Sequence, residues 1–154
     1  MSMLDPIIGI LESVDTAGPV SENRIRAGEE SLGIRFPKAY REFLLTYGAA
    51  MGFGWEIYGI DPARTSEEEP PQFGDVIQIA TSERSGYHGQ FHPSHIIQIA
   101  HDGAELGFYL DLSRVSGGDC PILGYGPGVD LVEAAPSFVD FVIGWSADQL
   151  EGFP

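Results

Sequence analysis

The chain predicts an α+β fold in a single domain, with N-terminal helices and a C-terminal helix packed on an antiparallel-dominated twisted sheet. Three observations predict it. In the first third, Tyr40, Phe43, Leu44 and Tyr47 recur at i, i+3, i+4 and i+7, one buried face of a 3.6-residue period. From Ile96 the pattern changes to short apolar runs separated by turn residues, a spacing that joins antiparallel neighbours and leaves no room for crossover helices. Beyond Ser137 the helical period returns in Phe138, Phe141, Val142 and Trp145.

Each element carries its own local signal. Asp5 or Pro6 opens a short helix with Ile7, Ile8 and Leu11 facing inward, and Ala17-Gly18-Pro19 ends it. Ser21 caps a second helix whose Ile25 and Leu32 face the core and whose stop is Gly33; Arg24 sits where a capping box needs Glu. Pro37 suits the first turn of a third helix, since proline has no N–H to satisfy, and Gly48 suits a left-handed stop. Gly52, Gly54 and Trp55 lead into a strand through Tyr58. Asp61 to Phe73 is a loop, because Glu67-Glu68-Glu69-Pro70-Pro71 suits neither core nor strand. Residues 76–86 are ambiguous: VIQIA alternates like a strand, yet the stretch is long and ends in charge. Ile96–Ala100, Leu106–Leu112 and Pro121–Tyr125 are strands, joined at Asp102-Gly103 and at Ser116 to Asp119. Gly126-Pro127-Gly128 turns the chain away, and Ser137 with Asp140 three residues on opens the last helix.

Composition narrows the function classes. At 154 residues, 43% hydrophobic and 20% charged, the chain matches a soluble globular protein with core enough to fold without disulfide or metal. Cys120 is alone, which excludes an internal disulfide and suits a reducing compartment. No apolar run reaches membrane-spanning length and no basic region precedes an apolar segment at the N-terminus, so the expected location is cytoplasmic. Eight Lys and Arg against 23 Asp and Glu give a net charge of −15, which repels phosphate and argues against nucleic-acid binding. Such a surface complements the basic cleft of another protein, although acidic surfaces also serve solubility alone. The charge is uneven. From Asp102 to Pro154 nine acids face Arg114 alone, while Arg24, Arg26, Arg35, Lys38 and Arg41 gather in the helical block.

No residue set demands catalysis. His88, His92 and His95 come nearest to a metal cluster, but Gly89 and Pro93 oppose a regular helix and no local Cys or carboxylate completes a ligand set. His101, in a turn, reads as a surface or turn-supporting residue. Cys120 lacks the surroundings of a nucleophile and reads as a half-buried thiol. Gly124-Tyr125-Gly126-Pro127-Gly128 lacks the Lys and Ser/Thr of a phosphate loop and reads as a turn. Asp102, Glu105 and Asp111 lack calcium-loop spacing. Asp111, between Leu110 and Leu112, is expected on the solvent face of its strand and free for recognition. Among Phe53, Trp55, Tyr58, Phe108 and Tyr109, alternation should leave one or two outside the core, beside acids, as binding anchors.

The block Ile25 to Ile60 (IRAGEESLGIRFPKAYREFLLTYGAAMGFGWEIYGI) resembles the SUKH superfamily of bacterial immunity proteins, which includes the fungal cell-wall-synthesis regulators. Glu29–Gly33 are similar to its "aEexLG", Phe36-Pro37 to "lP", Tyr40–Leu44 to "yrxFL" and Ile57–Gly59 to "iyG". Further on, His101–Leu112 (HDGAELGFYLDL) and Ser137–Phe141 (SFVDF) resemble later family segments in the expected order. The resemblance implies a single SUKH-like domain over residues 1–154 and a helix at residues 76–86. It also implies a non-enzymatic immunity protein with no cofactor that binds a cognate bacterial toxin, a basic nuclease or deaminase domain. The alternative is a regulatory protein-interaction module with no toxin partner. The expected partner-binding residues are Glu67, Glu68, Glu69, Asp102, Glu105 and Asp111, with Tyr58 and Tyr109 as aromatic anchors.

Overall fold

The computed structural model describes residues 2–64, 66, 69, 72–85 and 93–147, with the side chain of Trp55 outside the described set. Among these residues, five α-helices accompany a seven-stranded sheet. A 3-10 turn (Asp5–Ile7) runs into α1 (Ile8–Glu12), then come β1 (Asp15–Thr16), α2 (Glu22–Leu32), α3 (Lys38–Thr46), β2 (Ala50–Gly52), β3 (Trp55–Ile57) and α4 (Val76–Arg84). The rest is β4 (Ile96–His101), β5 (Gly107–Asp111), β6 (Ile122–Gly126), β7 (Val129–Ala135) and α5 (Phe138–Ser146). Strand order in the sheet follows chain order, β1 through β7, with every pair antiparallel. The predicted α+β meander with N- and C-terminal helices is therefore the fold observed.

Capping explains where the helices begin and end. Ser21 Oγ accepts from Arg24 N–H at 3.3 Å, and Gly33, at φ 66°, closes α2 in the left-handed region. Pro37 is the residue before α3, in extended backbone (ψ 152°), one position earlier than predicted. Its carbonyl already accepts from Arg41 N–H at 2.9 Å, so proline ends the link and its carbonyl starts the ladder. Ser137 caps α5 through Asp140 N–H at 3.0 Å and donates to the Asp140 carboxylate at 3.0 Å. Residues 76–84 are the predicted helix. Its cap, unforeseen in the sequence, is Asp75, whose Oδ1 accepts from Ile77 and Gln78 N–H at 2.9 and 3.0 Å.

The main core lies on one sheet face. Phe108 and Leu110 of β5, Ile97 and Ile99 of β4 and Ile122 of β6 meet the buried faces of the helices. Tyr40, Phe43 and Phe138 form its aromatic centre, with Phe138 ring centroids 5.4 Å from both others. A smaller cluster of Ile96, Tyr109 and Leu123, with Tyr125 and Leu131 against it, occupies the opposite face.

The quoted motif residues mostly build this frame. Glu29 accepts from Phe36 N–H at 2.8 Å and takes Arg41 through a fork of bonds of 2.9 to 3.2 Å, tying α2, the link and α3 together. Tyr40 donates its hydroxyl to the Tyr58 carbonyl at 2.6 Å. At Gly59 a Cβ would overlap the Gly48 carbonyl oxygen, which itself accepts from Ile60 N–H at 2.9 Å. We expect Gly59→Ala to destabilise the protein by several kcal/mol, roughly the upper end for point changes, because backbone must move. Gly9, with open space around its α-carbon in α1, should gain about 0.5–1 kcal/mol as Gly9→Ala. Urea unfolding of both variants checks the contrast.

Candidate partner-binding groove

Strand alternation assembles one site on the face opposite the main core. Gln98, Tyr109 and Leu123 lie in register across β4, β5 and β6, as do His101, Gly107 and Tyr125. Gly107 gives this floor its depth, since a Cβ there would come within 2.7 Å of Gln98 Nε2 and 3.1 Å of the Tyr109 ring. α4 supplies a wall. Val76 and Ala80 enter the main core, and Gly28 lets Ile77 approach α2, where a Cβ would meet Ile77 at 2.7 Å. Glu83, two turns on from Val76, accepts from the Tyr109 hydroxyl at 3.1 Å. Arg84 holds the end of α4 by donating to the carbonyls of Leu32 and Ser94 at 2.5 and 2.7 Å.

Together these elements enclose a groove of about 840 Å³, lined by Tyr58, Gln78, Ile79, Ser82, Glu83, Gln98, His101, Glu105, Gly107, Tyr109, Tyr125, Gly126 and Pro127. The described lining contains two carboxylates, Glu83 and Glu105, three tyrosines and no Lys or Arg. Burial pushes the Glu83 carboxyl up against the opposing effect of the Tyr109 hydrogen bond. The Tyr58 phenol is pushed up to about 12 by burial, then by Glu56 and Glu83, and Tyr109 rises further for the same first reason. Both phenols therefore remain neutral hydrogen-bonding groups at any physiological pH.

The predicted site residues divide. Tyr58, Glu105 and Tyr109 all line the groove. Tyr109 does so with only 2% of its surface exposed, so it is a floor residue and not a projecting anchor; Tyr58 is half-buried. Asp102 shapes the rim, its Oδ1 accepting from Ala104, Glu105 and Leu106 N–H at 2.8 to 3.1 Å, while His101 Nδ1 accepts from Gly103 N–H at 3.0 Å. His101 thus supports the turn as predicted.

Asp111 corrects the expectation of a free, solvent-facing acid. It is 5% exposed, accepts from Ser113 N–H and Oγ at 3.1 and 2.6 Å, and takes Arg114 Nε at 2.8 Å. Burial works to raise its carboxyl, but the bonds from Ser113 and Arg114 outweigh it and hold the group below its ordinary range. Alternation placed Asp111 on the right face; it could not show that the following 3-10 turn (Leu112–Arg114) folds over it.

Glu69 is exposed, is not among the groove-lining residues, and uses its carbonyl to accept from Arg64 at 2.8 Å. Glu67 and Glu68 lie outside the described residues, as do His88 and His92. His95 immediately precedes β4, and among the described residues no three His, Cys, Asp or Glu side chains gather as metal ligands. Cys120 is fully buried, with its thiol pushed up to about 12 by burial and by Asp119. Phe108 belongs to the core, and Phe53 is exposed, at 45%, on the β2–β3 hairpin. Sequence reasoning missed Gln78, Ser82, Glu83, Gln98 and Tyr125. The usable signals were the polar residue inside IIQIA and the helical spacing of Gln78, Ser82 and Glu83.

Beneath Tyr58, Glu56 accepts from Gly74 N–H at 3.2 Å through Oε1, while Oε2 is buried without a hydrogen-bond partner. Burial raises this carboxyl, partly offset by Gly74. A raised folded-state value means stability that is present in acid and lost as pH rises through that value. Glu56→Gln should therefore melt above the parent protein at pH 8, with the gap closing by about pH 4, near the unfolded value. Thermal melts at the two pH values test this; a pH-independent gap would contradict it.

The profile of the SMI1 / KNR4 family (SUKH-1) matches residues 19–144, which includes α2 to α4, the sheet from β2 onward and most of α5. The chain belongs to the SMI1/KNR4 (SUKH-1) family. Family members are generally non-enzymatic. A protein from Pseudomonas syringae pv. tomato of known crystal structure is 18% identical to this chain; the match covers 91% of this chain and 96% of that one, with a TM-score of 0.63. At that identity the likeness shows the shared fold. No curated protein sequence matches the chain. Among the described residues no helix is long and apolar enough to cross a membrane. The SUKH-1 match spans both the frame residues Glu29, Tyr40, Arg41 and Gly59 and the groove residues Tyr58, Glu83, Gln98 and Tyr109.

Proposed function

We propose that this SUKH-1 chain is a non-enzymatic immunity protein that binds and neutralises a cognate toxin, a basic nuclease or deaminase domain, by docking it on the groove between α4 and the β4–β6 floor. The groove's composition carries the reading. Two carboxylates, three tyrosines and several further hydrogen-bonding side chains face one recess whose described lining holds no Lys or Arg. Aromatic residues with polar tips anchor protein interfaces, and carboxylates on an anionic chain accelerate capture of a cationic partner and reject acidic ones. With a net charge of −15, the whole molecule adds to that steering.

The test is co-expression with the product of the neighbouring gene as the candidate toxin, scored for growth, followed by calorimetry on the purified pair. Rescue with a 1:1 complex supports immunity. Growth that stays arrested, with no complex formed by folded protein, rejects it in favour of a regulatory module without a toxin partner.

A further inference from the structure

The basic residues of the helical block border a second recess whose charge is opposite to that of the groove. It holds about 510 Å³ between the α2–α3 link, the residues entering β4 and the 3-10 turn after β5, and it shares no residue with the groove. Arg35 in the link and Lys38 at the start of α3 line it, both exposed. Neither side chain has an ion pair or hydrogen bond among the described residues. The other cations of the chain are engaged. Arg26 and Arg41 pair with Glu22, Arg64 with Asp75 and Arg114 with Asp111, while Arg24 and Arg84 donate to backbone carbonyls. The described lining of the recess contains no carboxylate. Much of its remaining wall is apolar: Ile34 and Leu112 are half-buried against the main core, and Val115 is 46% exposed.

We infer that this recess docks an acidic segment of a protein partner, its carboxylates paired with Arg35 and Lys38 and an apolar side chain set against Ile34, Leu112 and Val115. Charge complementarity carries the assignment. On a molecule of net charge −15 carboxylates are plentiful, yet none pairs with these two cations. Lys38 also stands at the first position of α3, where the helix dipole opposes a cation, and no acid occupies that helix's first turn. A carboxylate arriving from outside relieves both repulsions. Arg35 adds a planar fork that takes a carboxylate through two parallel bonds. The apolar wall selects the kind of anion. A phosphate ion would use the cations and leave Val115 in water, whereas a peptide with an apolar residue beside its acids covers it. The adjoining recess, which also includes Arg35 and Lys38, contains Glu22, Glu29 and Glu30 and repels an acidic chain, so docking is confined to the side bordered by β4 and the 3-10 turn.

The inference stands or falls independently of the groove. Full-length 15N-labelled protein is titrated with the peptide acetyl-Glu-Glu-Leu-Glu-Glu-amide, with the same peptide carrying Gln for every Glu, with the one carrying Gly for Leu, and with inorganic phosphate. The expected result is saturable shifts at the amides of Ile34, Arg35, His95 and Val115 with the acidic peptide. Affinity should fall at least about fivefold without the leucine, and neither the Gln peptide nor phosphate should saturate. Arg35→Gln combined with Lys38→Gln should weaken binding of the acidic peptide at least about fivefold. The melting temperature of that variant should be unchanged or slightly raised, since a cation leaves the N-terminus of α3. Val115→Ser should reproduce the loss seen without the leucine. Equal binding of the acidic and Gln peptides, or no shifts in the recess, overturns the inference. Saturation by phosphate at the affinity of the peptide means a small-anion site only and overturns it as well. Light scattering of the protein alone supplies the last arm: a dimer that the double variant abolishes assigns the recess to a second copy of this chain and overturns the acidic partner.

Discussion

Phe43→Ala will lower stability by about 3–5 kcal/mol, the range for deleting a fully buried aromatic ring. The side chain has no exposure and stands among three rings: Tyr40 at 5.8 Å, Phe138 at 5.4 Å and Tyr47 at 6.4 Å. Phe138 begins α5 and Tyr40 belongs to α3, so the cavity opens where the two helices join. Neither can move in to fill it. Tyr40 is fixed to the Tyr58 carbonyl, and the first turn of α5 is held by Asp119, which accepts from Phe138 N–H at 2.8 Å and Cys120 N–H at 2.7 Å. A domain with about 5–15 kcal/mol to lose becomes marginal after such a change. Phe53→Ala is the matched control. Its ring meets Trp145 edge-on at 4.8 Å but is half exposed, so it should cost less than about 1.5 kcal/mol. Urea denaturation of the two variants checks the difference, and equal losses would mean that the aromatic centre is not where the core is held.

Ser82→Arg will reduce affinity for the proposed partner at least about 100-fold while leaving the melting temperature within a few degrees. Ser82 lies on the groove side of α4, half-buried, with no role in the main core. Arginine is a good helix former, so α4 itself should tolerate it. In the groove the new cation meets Glu83 and occupies the space a basic partner needs; like charges brought together at an interface cost several kcal/mol. Calorimetry on the purified pair reads the loss. Unchanged affinity with a folded variant would remove the groove from the interface.

Much of the frame was legible because its signals are local. Ser21, Gly33, Gly48 and Ser137 mark helix ends within a few residues of the groups they satisfy, and the period of Tyr40, Phe43 and Leu44 records one buried face. What escaped notice depends on distant partners. β1 is two residues long and β2 is Ala50-Met51-Gly52, neither of which has strand character until paired. β7 loses its alternation at bulges opposite Ile122–Leu123 and Gly124–Gly126, and Leu131 adopts a positive φ of 51°, so the sequence shows a turn at Gly126-Pro127-Gly128 but not the strand beyond it.

The groove shows the same division. Tyr58, Glu105 and Tyr109 could be named from alternation and charge. Glu83 could not, because its position depends on a contact spanning 26 residues and on a helix whose apolar start reads equally well as a strand. The acidic surface pointed toward the Glu67–Glu69 run. Of that run, Glu69 is described, and it is not part of the groove lining.

Hydrogen–deuterium exchange on the protein alone and in complex with the proposed toxin partner tests the central claim most directly. The account predicts new protection along α4, β4 and β5 and at residues 124–127, with the outer faces of α1 and α5 unchanged. Protection concentrated on those helices, with the groove exchanging as in the free protein, would contradict it.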